Sequence, residues 1–175
     1  MRRVSVVGAS GSGKTTLSAA LASRLCVEHV ELDAIYHGPG WRHPTPEEFR
    51  ARLAPIVARD GWVIDGNYVS QVGDLVRGAA DTVVWLDLPL AHTLARLARR
   101  SLGRLVFRTE LWNGNRETLA GLLWDPDSLF RWTVQRHARY RREMPALFST
   151  EAYAGKTLHH LRSQRAIDEL LEHVG

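Results

Sequence analysis

A single cysteine, Cys26, in 175 residues rules out a disulfide framework, and apolar runs only a few residues long are too short for a bilayer-crossing helix. The N-terminus enters a strand-like run directly, so neither a signal peptide nor a membrane anchor is expected. Cys26 stands beside Leu25 and Val27 at the end of a helical stretch, where core packing is its expected role. A lone free thiol also fits a reducing compartment, and a cytoplasmic location is expected. Lysine is also scarce, with Lys14 and Lys156 set against 21 arginines. Genome base composition produces such a bias without any selection on function, so weight falls on where the arginines stand. There is no internal repeat and no low-complexity tract. The length suits one α/β domain over residues 1–175, which would bury about 70% of its unfolded surface without a staple.

The net charge is +4 and the isoelectric point about 9.7, but the basicity is regional. Eleven arginines between Arg96 and Arg142 face only four acidic residues, Glu110, Glu117, Asp125 and Asp127. The rest of the chain is slightly acidic.

One glycine-rich stretch stands out, Gly8-Ala9-Ser10-Gly11-Ser12-Gly13-Lys14-Thr15-Thr16. The spacing is that of a phosphate-binding loop. Arg3 to Val7 ahead of it reads as a strand, and Leu17, Leu21 and Leu25 behind it have helical spacing. Phosphates would then lie at a helix N-terminus, where orphan N–H groups and the dipole favour an anion. In this pattern Lys14 is expected to reach the β- and γ-phosphates of ATP, and the Thr15 hydroxyl to ligate Mg²⁺.

Further along, strands alternate with helices, the signature of a parallel sheet covered on both faces. Val27 to Asp33 reads as a second strand. Thr45-Pro46-Glu47-Glu48 announces a helix with Thr45 as N-cap and Glu48 closing a capping box, and Phe49, Leu53, Ile56 and Val57 are expected to face inward. Trp62 to Gly66 and Thr82 to Leu88 read as strands. Leu90 to about Leu105 reads as a helix, and so does Asp127 to about Phe148 with its acidic cap. Lys156 to Arg162 is a fifth strand, and Gln164 to Val174 a terminal helix.

Ligands of such sheets bind beyond the carboxyl ends of the strands, which singles out Asp33, Asp65 and Asp87. Asp65 is read as a magnesium carboxylate acting through water, with a turn acid as the alternative. Asp33 is placed to bind an acceptor hydroxyl or take its proton, with an acid bracing the following loop as the alternative. Asp87, just before Pro89, suits a helix cap as well as it suits catalysis.

Taken in order, four segments resemble the adenylate-kinase-like branch of P-loop kinases. They are Gly8 to Thr16; Glu31-Leu32-Asp33 with Trp41 eight residues on; Trp62-Val63-Ile64-Asp65-Gly66-Asn67; and the arginine-rich stretch after Val83 to Pro89. The closer likeness is to the small topology modulation proteins, themselves similar to adenylate and shikimate kinases, and it spans nearly the whole chain. The resemblance implies a three-layer α/β fold with a five-stranded parallel sheet of order 2-3-1-4-5. It also implies an acceptor-binding segment over residues 34–60 and an arginine-bearing lid over about 104–126.

Phosphoryl transfer spreads charge over the transferring oxygens, and one positioned arginine is worth on the order of 10³-fold or more. Arg96, Arg100 and Arg104 recur every fourth residue on one helix face, while Arg108 and Arg116 flank the turn-rich Glu110 to Asn115. Arg100 and Arg104 are therefore expected to grip ATP phosphates, and Lys14, Asp33, Arg108 and Arg116 to take part in catalysis. Adenylate kinases follow the third strand with an Asp-Gly-Phe-Pro-Arg run; here the run is Asp65-Gly66-Asn67-Tyr68-Val69, without the arginine. Arg42 and Arg50 are candidates to replace it, and Trp41, Gly66 and Asn67 complete the expected acceptor site. Three readings stand: a small-molecule kinase using Mg-ATP with a hydroxyl-bearing or nucleotide acceptor, a nucleotide-dependent ATPase or switch, and a nucleic-acid-associated protein whose footprint is Arg96 to Arg142. No Asn-Lys-x-Asp segment is present to read guanine. If the arginines serve turnover, Arg108→Ala or Arg116→Ala should lower the rate on the order of 10²- to 10³-fold while the thermal midpoint stays within a few degrees; steady-state rates and a melting curve check this.

Overall fold

The computed structural model describes residues 1–107, 109–115 and 128–174. Five strands, β1 (Arg3–Gly8), β2 (Glu28–Glu31), β3 (Trp62–Asp65), β4 (Thr82–Leu86) and β5 (Thr157–Leu161), form one all-parallel sheet of order β2-β3-β1-β4-β5. The helices are α1 (Lys14–Leu25), α2 (Leu32–Tyr36), α3 (Pro46–Val57), α4 (Val69–Val72), α5 (Leu75–Ala79), α6 (Leu90–Val106), α7 (Leu129–Phe148) and α8 (Gln164–His173).

Two-residue periodicity in the strands divides the core between the two sheet faces. Val4, Val6, Val63, Val84 and Leu86 pack with Leu17 and Leu21 of α1 and Ile167 and Leu170 of α8. Their neighbours Val7, Trp62, Ile64, Val83 and Trp85 pack on the opposite face with Phe49 and Leu53 of α3 and Met144 of α7. Because helices cover both faces, β1, β3 and β4 read as nearly continuous apolar runs. Trp62 and Phe49 are wholly buried, each worth roughly 1.5–3 kcal/mol of apolar transfer.

Local signals are realised closely. The Thr45–Glu48 capping box is formed in both directions, with Pro46 opening α3 and Pro55 inside it. Phe49, Leu53 and Val57 point inward and Ile56 is half-buried. Elsewhere tertiary context redraws the expectation. β2 stops at Glu31, and Asp33 falls in the first turn of α2 instead of ending a strand. Cys26 is exposed, not packed in the core: it takes the left-handed position that closes α1, with φ 53°, a role glycine usually fills. Ser128 caps α7 through the N–H of Arg131, and Asp127, the expected acidic cap, lies outside the described residues. Among the described residues no helix is long and apolar enough to cross a membrane.

Asp87 does not cap α6, whose N-cap is Pro89 without any side-chain bond. Only 4% exposed, it accepts hydrogen bonds from Arg141 Nε at 2.9 Å and from His160 Nε2 at 3.0 Å, with His137 and Arg162 next to it. One carboxylate thereby ties the end of β4 to α7 and β5. Asp87→Ala should cost about 2 kcal/mol, the scale of hydrogen bonds to a buried charge whose arginine partner remains partly solvated; a urea unfolding midpoint measures it.

Candidate active site

The loop after β1 turns on glycines in the left-handed region, Gly11 at φ 79° and Gly13 at φ 95°, and Gly13 is the N-cap of α1. A Cβ on Gly11 would lie 2.6 Å from the Thr93 carbonyl oxygen of α6, so this loop is seated directly on that helix. Its base is held from the other side by Asn67, whose Oδ1 accepts from the Gly8 N–H at 3.3 Å and whose Nδ2 donates to the Gly8 carbonyl.

Lys14 Nζ donates to the Ala9 carbonyl at 3.1 Å. Burial pushes its ammonium below the usual lysine range; Asp33 and Asp65 work in the opposite direction, and Arg100 adds to the lowering. The lysine thus sits where the acidic and basic walls of one cavity meet. That cavity, of about 870 Å³, has residues Ser10 to Leu17 as its floor. Arg96, Arg100 and Arg104 of α6 line one wall, and Glu31, Asp33 and Asp65 the wall opposite. Arg100 Nη2 donates to Ser10 Oγ at 3.3 Å, and Arg96 to Gln164 Oε1 of α8 at 3.0 Å. Arg96 joins this wall by the same four-residue spacing that singled out Arg100 and Arg104.

The acids have partners that local patterns do not disclose. Asp65, 3% exposed, meets His29 Nε2 at 2.7 Å. Asp33 Oδ1 accepts the hydroxyl of Tyr68 at 2.6 Å. Burial, then the charge of Asp33, pushes the Tyr68 phenol far above its ordinary value, so it is a proton donor in this contact. Glu31 is raised by burial and by Asp65, and it accepts a hydrogen bond from Trp112. His29 and Tyr68 escaped the sequence reading. The signal for His29 is its position two residues before Glu31, on the same strand face, once Glu31 is paired in register with Asp65.

The Glu110 to Asn115 turn reaches the cavity, with Glu110, Leu111 and Trp112 on its wall. Asn113 Nδ2 donates to the His37 carbonyl at 2.6 Å, Asn115 Nδ2 to the Gly38 carbonyl at 2.9 Å, and the Trp41 N–H to Asn115 Oδ1 at 3.0 Å. Of the residues expected at the acceptor, Asp33 is on the cavity wall. Arg42 and Arg50 are exposed and not on it. Trp41 is 40% exposed, Gly66 packs tightly against Leu32, and Asn67 serves the base of the phosphate loop. Arg108 and Arg116 lie outside the described residues.

No family model matches the sequence. The uncharacterized protein YqaC of Bacillus subtilis (strain 168) is 30% identical over 105 residues, 59% of this chain and 58% of that protein, so the match spans less than two thirds of the relative. Among solved structures, shikimate kinase from Acinetobacter baumannii in complex with shikimate superposes with a TM-score of 0.57 at 17% identity, covering 99% of this chain and 90% of that one. Shikimate kinase from Bacteroides thetaiotaomicron gives 0.53 at 18%, covering 98% and 95%. A sugar kinase from Janibacter sp. HTCC2649 gives 0.53 at 20%, covering 99% and 91%. At these identities the likeness is one of fold, and the chain has the P-loop kinase fold.

Gly11 offers a direct check on the loop. With φ 79° and the Thr93 oxygen 2.6 Å from where a Cβ would stand, no side chain fits without moving α6 or the loop. Gly11→Ala should cost on the order of 1–3 kcal/mol, read from a melting curve.

Proposed function

We propose that the chain is a Mg-ATP-dependent phosphotransferase that moves the γ-phosphoryl group to a hydroxyl of a small acceptor. The observation that carries the reading is a single cavity in which the phosphate loop and Lys14 lie between an arginine wall and Asp33. The residues present fit a nucleotide. The loop is a backbone cradle that a Cβ at Gly11 would close, and it opens onto the N-terminus of a twelve-residue helix.

In this reading the loop N–H groups and Lys14 hold the β- and γ-phosphates, and Arg96, Arg100 and Arg104 meet the charge that develops on the transferring oxygens. Arg108 and Arg116 remain part of the proposal as further cations on the lid. A bound Mg²⁺ would neutralise the β- and γ-oxygens. Thr15 and Asp65, both on the cavity wall, are the residues to hold it, Thr15 directly and Asp65 through water. Asp33 takes the proton of the attacking hydroxyl.

A hydroxyl acceptor is favoured over a nucleoside monophosphate by the sign of the charge at that end. Glu31, Asp33, Asp65 and Glu110 line it, while Arg42 and Arg50 are off the wall. An anionic acceptor would meet carboxylates there, and in this reading Lys14 serves the phosphates of ATP. The likeness to topology modulation proteins belongs to this same proposal.

The test is ADP formation from Mg-ATP with a panel of polyols, sugars, cyclic alcohols, nucleosides and nucleoside monophosphates. A hydroxyl compound should receive phosphate stoichiometrically. Lys14→Ala should abolish transfer, and Asp33→Asn should slow it about 10²- to 10⁴-fold. Phosphate released only to water, at a rate indifferent to every acceptor, would make the protein an ATPase and overturn the reading.

A further inference from the structure

Asp33 is the terminus of a hydrogen-bonded series that leaves the cavity. Its Oδ1 accepts the one hydroxyl proton of Tyr68 at 2.6 Å. With that proton committed, the phenol oxygen can only accept from its second neighbour, His37 Nε2 at 3.3 Å. His37 must then carry its proton on Nε2, leaving Nδ1 as an acceptor, and Nδ1 lies 3.3 Å from His43 Nε2. One consistent set of donors therefore runs from His43 to His37 to Tyr68 to Asp33. Burial pushes the His37 imidazole below its ordinary value, consistent with the neutral ring this order requires.

His37 is also where the Glu110 to Asn115 turn is attached. The Trp112 ring stacks on the imidazole at 5.8 Å between centroids and 21° between planes. The His37 carbonyl accepts from Asn113 Nδ2 at 2.6 Å, and its N–H donates to the Asp33 carbonyl at 2.9 Å. Tyr36 and Trp41 meet the imidazole in T-shaped contacts at 5.2 and 5.3 Å between centroids. Tyr68 is confined by Tyr36 and Phe49 at 4.6 and 5.3 Å. The ring of one residue thus reaches the carboxylate through Tyr68, and the same residue is gripped by the turn through its carbonyl and its face.

We propose that His37 is a positioning residue that couples the seating of the 109–115 turn to the alignment of the Asp33 carboxylate, acting through Tyr68. The inference rests on the proposed role of Asp33 as the group that meets the acceptor hydroxyl. His37 touches no reacting atom. Its effect is to hold Oδ1 in the Tyr68 hydrogen bond so that Oδ2, which has no partner among the described residues, keeps one direction toward the cavity. Misplacement of a reacting group by about 1 Å costs on the order of 10²-fold, so a two-step tether is enough to matter.

The experiment is a set of variants measured on the acceptor identified above. His37→Ala and Tyr68→Phe should each lower kcat about 10- to 100-fold with the KM for ATP unchanged, and His37→Gln, which keeps an N–H within reach of Tyr68, should recover most of the loss. In an Asp33→Asn background His37→Ala should add less than about twofold, because its effect travels through the carboxylate. Asn113→Ala should lower kcat when His37 is present and add nothing when it is absent. An equal loss from His37→Ala in both backgrounds, or no loss at all, overturns the proposal. Carbon-13 NMR of the Asp33 carboxyl gives a reading that does not need turnover. His37→Ala should move that resonance and His37→Gln should leave it near its original position, whereas an unmoved resonance in folded His37→Ala overturns the coupling. If no acceptor is phosphorylated yet the resonance moves as expected, the catalytic reading of Asp33 fails and the coupling stands.

Discussion

The parallel register of three neighbouring strands, β2, β3 and β1, is the constraint on which everything else in this molecule depends. Pairing β2 with β3 sets Glu31 opposite Asp65, and pairing β3 with β1 sets Asp65 opposite Val6, two residues before the phosphate loop begins. All three strands therefore end at one edge, and the chain beyond each end opens onto the same space. A slip of one residue in any of these ladders would turn the acids to the other sheet face and into the core. The two apolar layers, one packed against α1 and α8 and the other against α3 and α7, hold that register because each strand residue has a face to which it belongs.

Charge in the cavity is sorted along that edge. The arginines come from α6, which follows β4 on one side of the phosphate loop, and the carboxylates come from the ends of β2 and β3 and the start of α2 on the other. Lys14 sits at the junction, and its lowered ammonium and the raised Glu31 carboxyl record a site that is both desolvated and unevenly charged. Such a site favours a ligand that is anionic at one end and neutral or hydroxylic at the other. That preference is the physical content of the proposed ATP-to-hydroxyl transfer. The buried Asp87 network, by contrast, is formed away from the cavity walls and joins β4, β5 and α7 as scaffold.

How far the sequence could be read depended on the range of each interaction. The glycine-rich turn between β1 and α1, the alternation of strands and helices and the Thr45–Glu48 box rest on neighbours a few residues apart, and the structure contains all three. Cys26 was misjudged because apolar neighbours suggested packing, whereas its backbone was needed for a left-handed helix end. Asp87 looked like a cap because Pro89 follows it; the partners that claim it stand on other elements. The Glu110 to Asn115 turn has the composition of an exposed tip, yet its asparagines bond to carbonyls of the segment after α2.

The amino-acid sequence by itself determined the glycine-rich loop after β1, the helix behind it, the layered α/β class and the acid that ends β3, since each is a matter of backbone freedom or periodicity along a short stretch. Only the tertiary structure decided what those acids touch. Tyr68 is 35 residues from Asp33, His29 is 36 from Asp65, and Arg141 is 54 from Asp87. A polar side chain takes the partner that register and crossover bring within about 3 Å, and no local pattern carries that information.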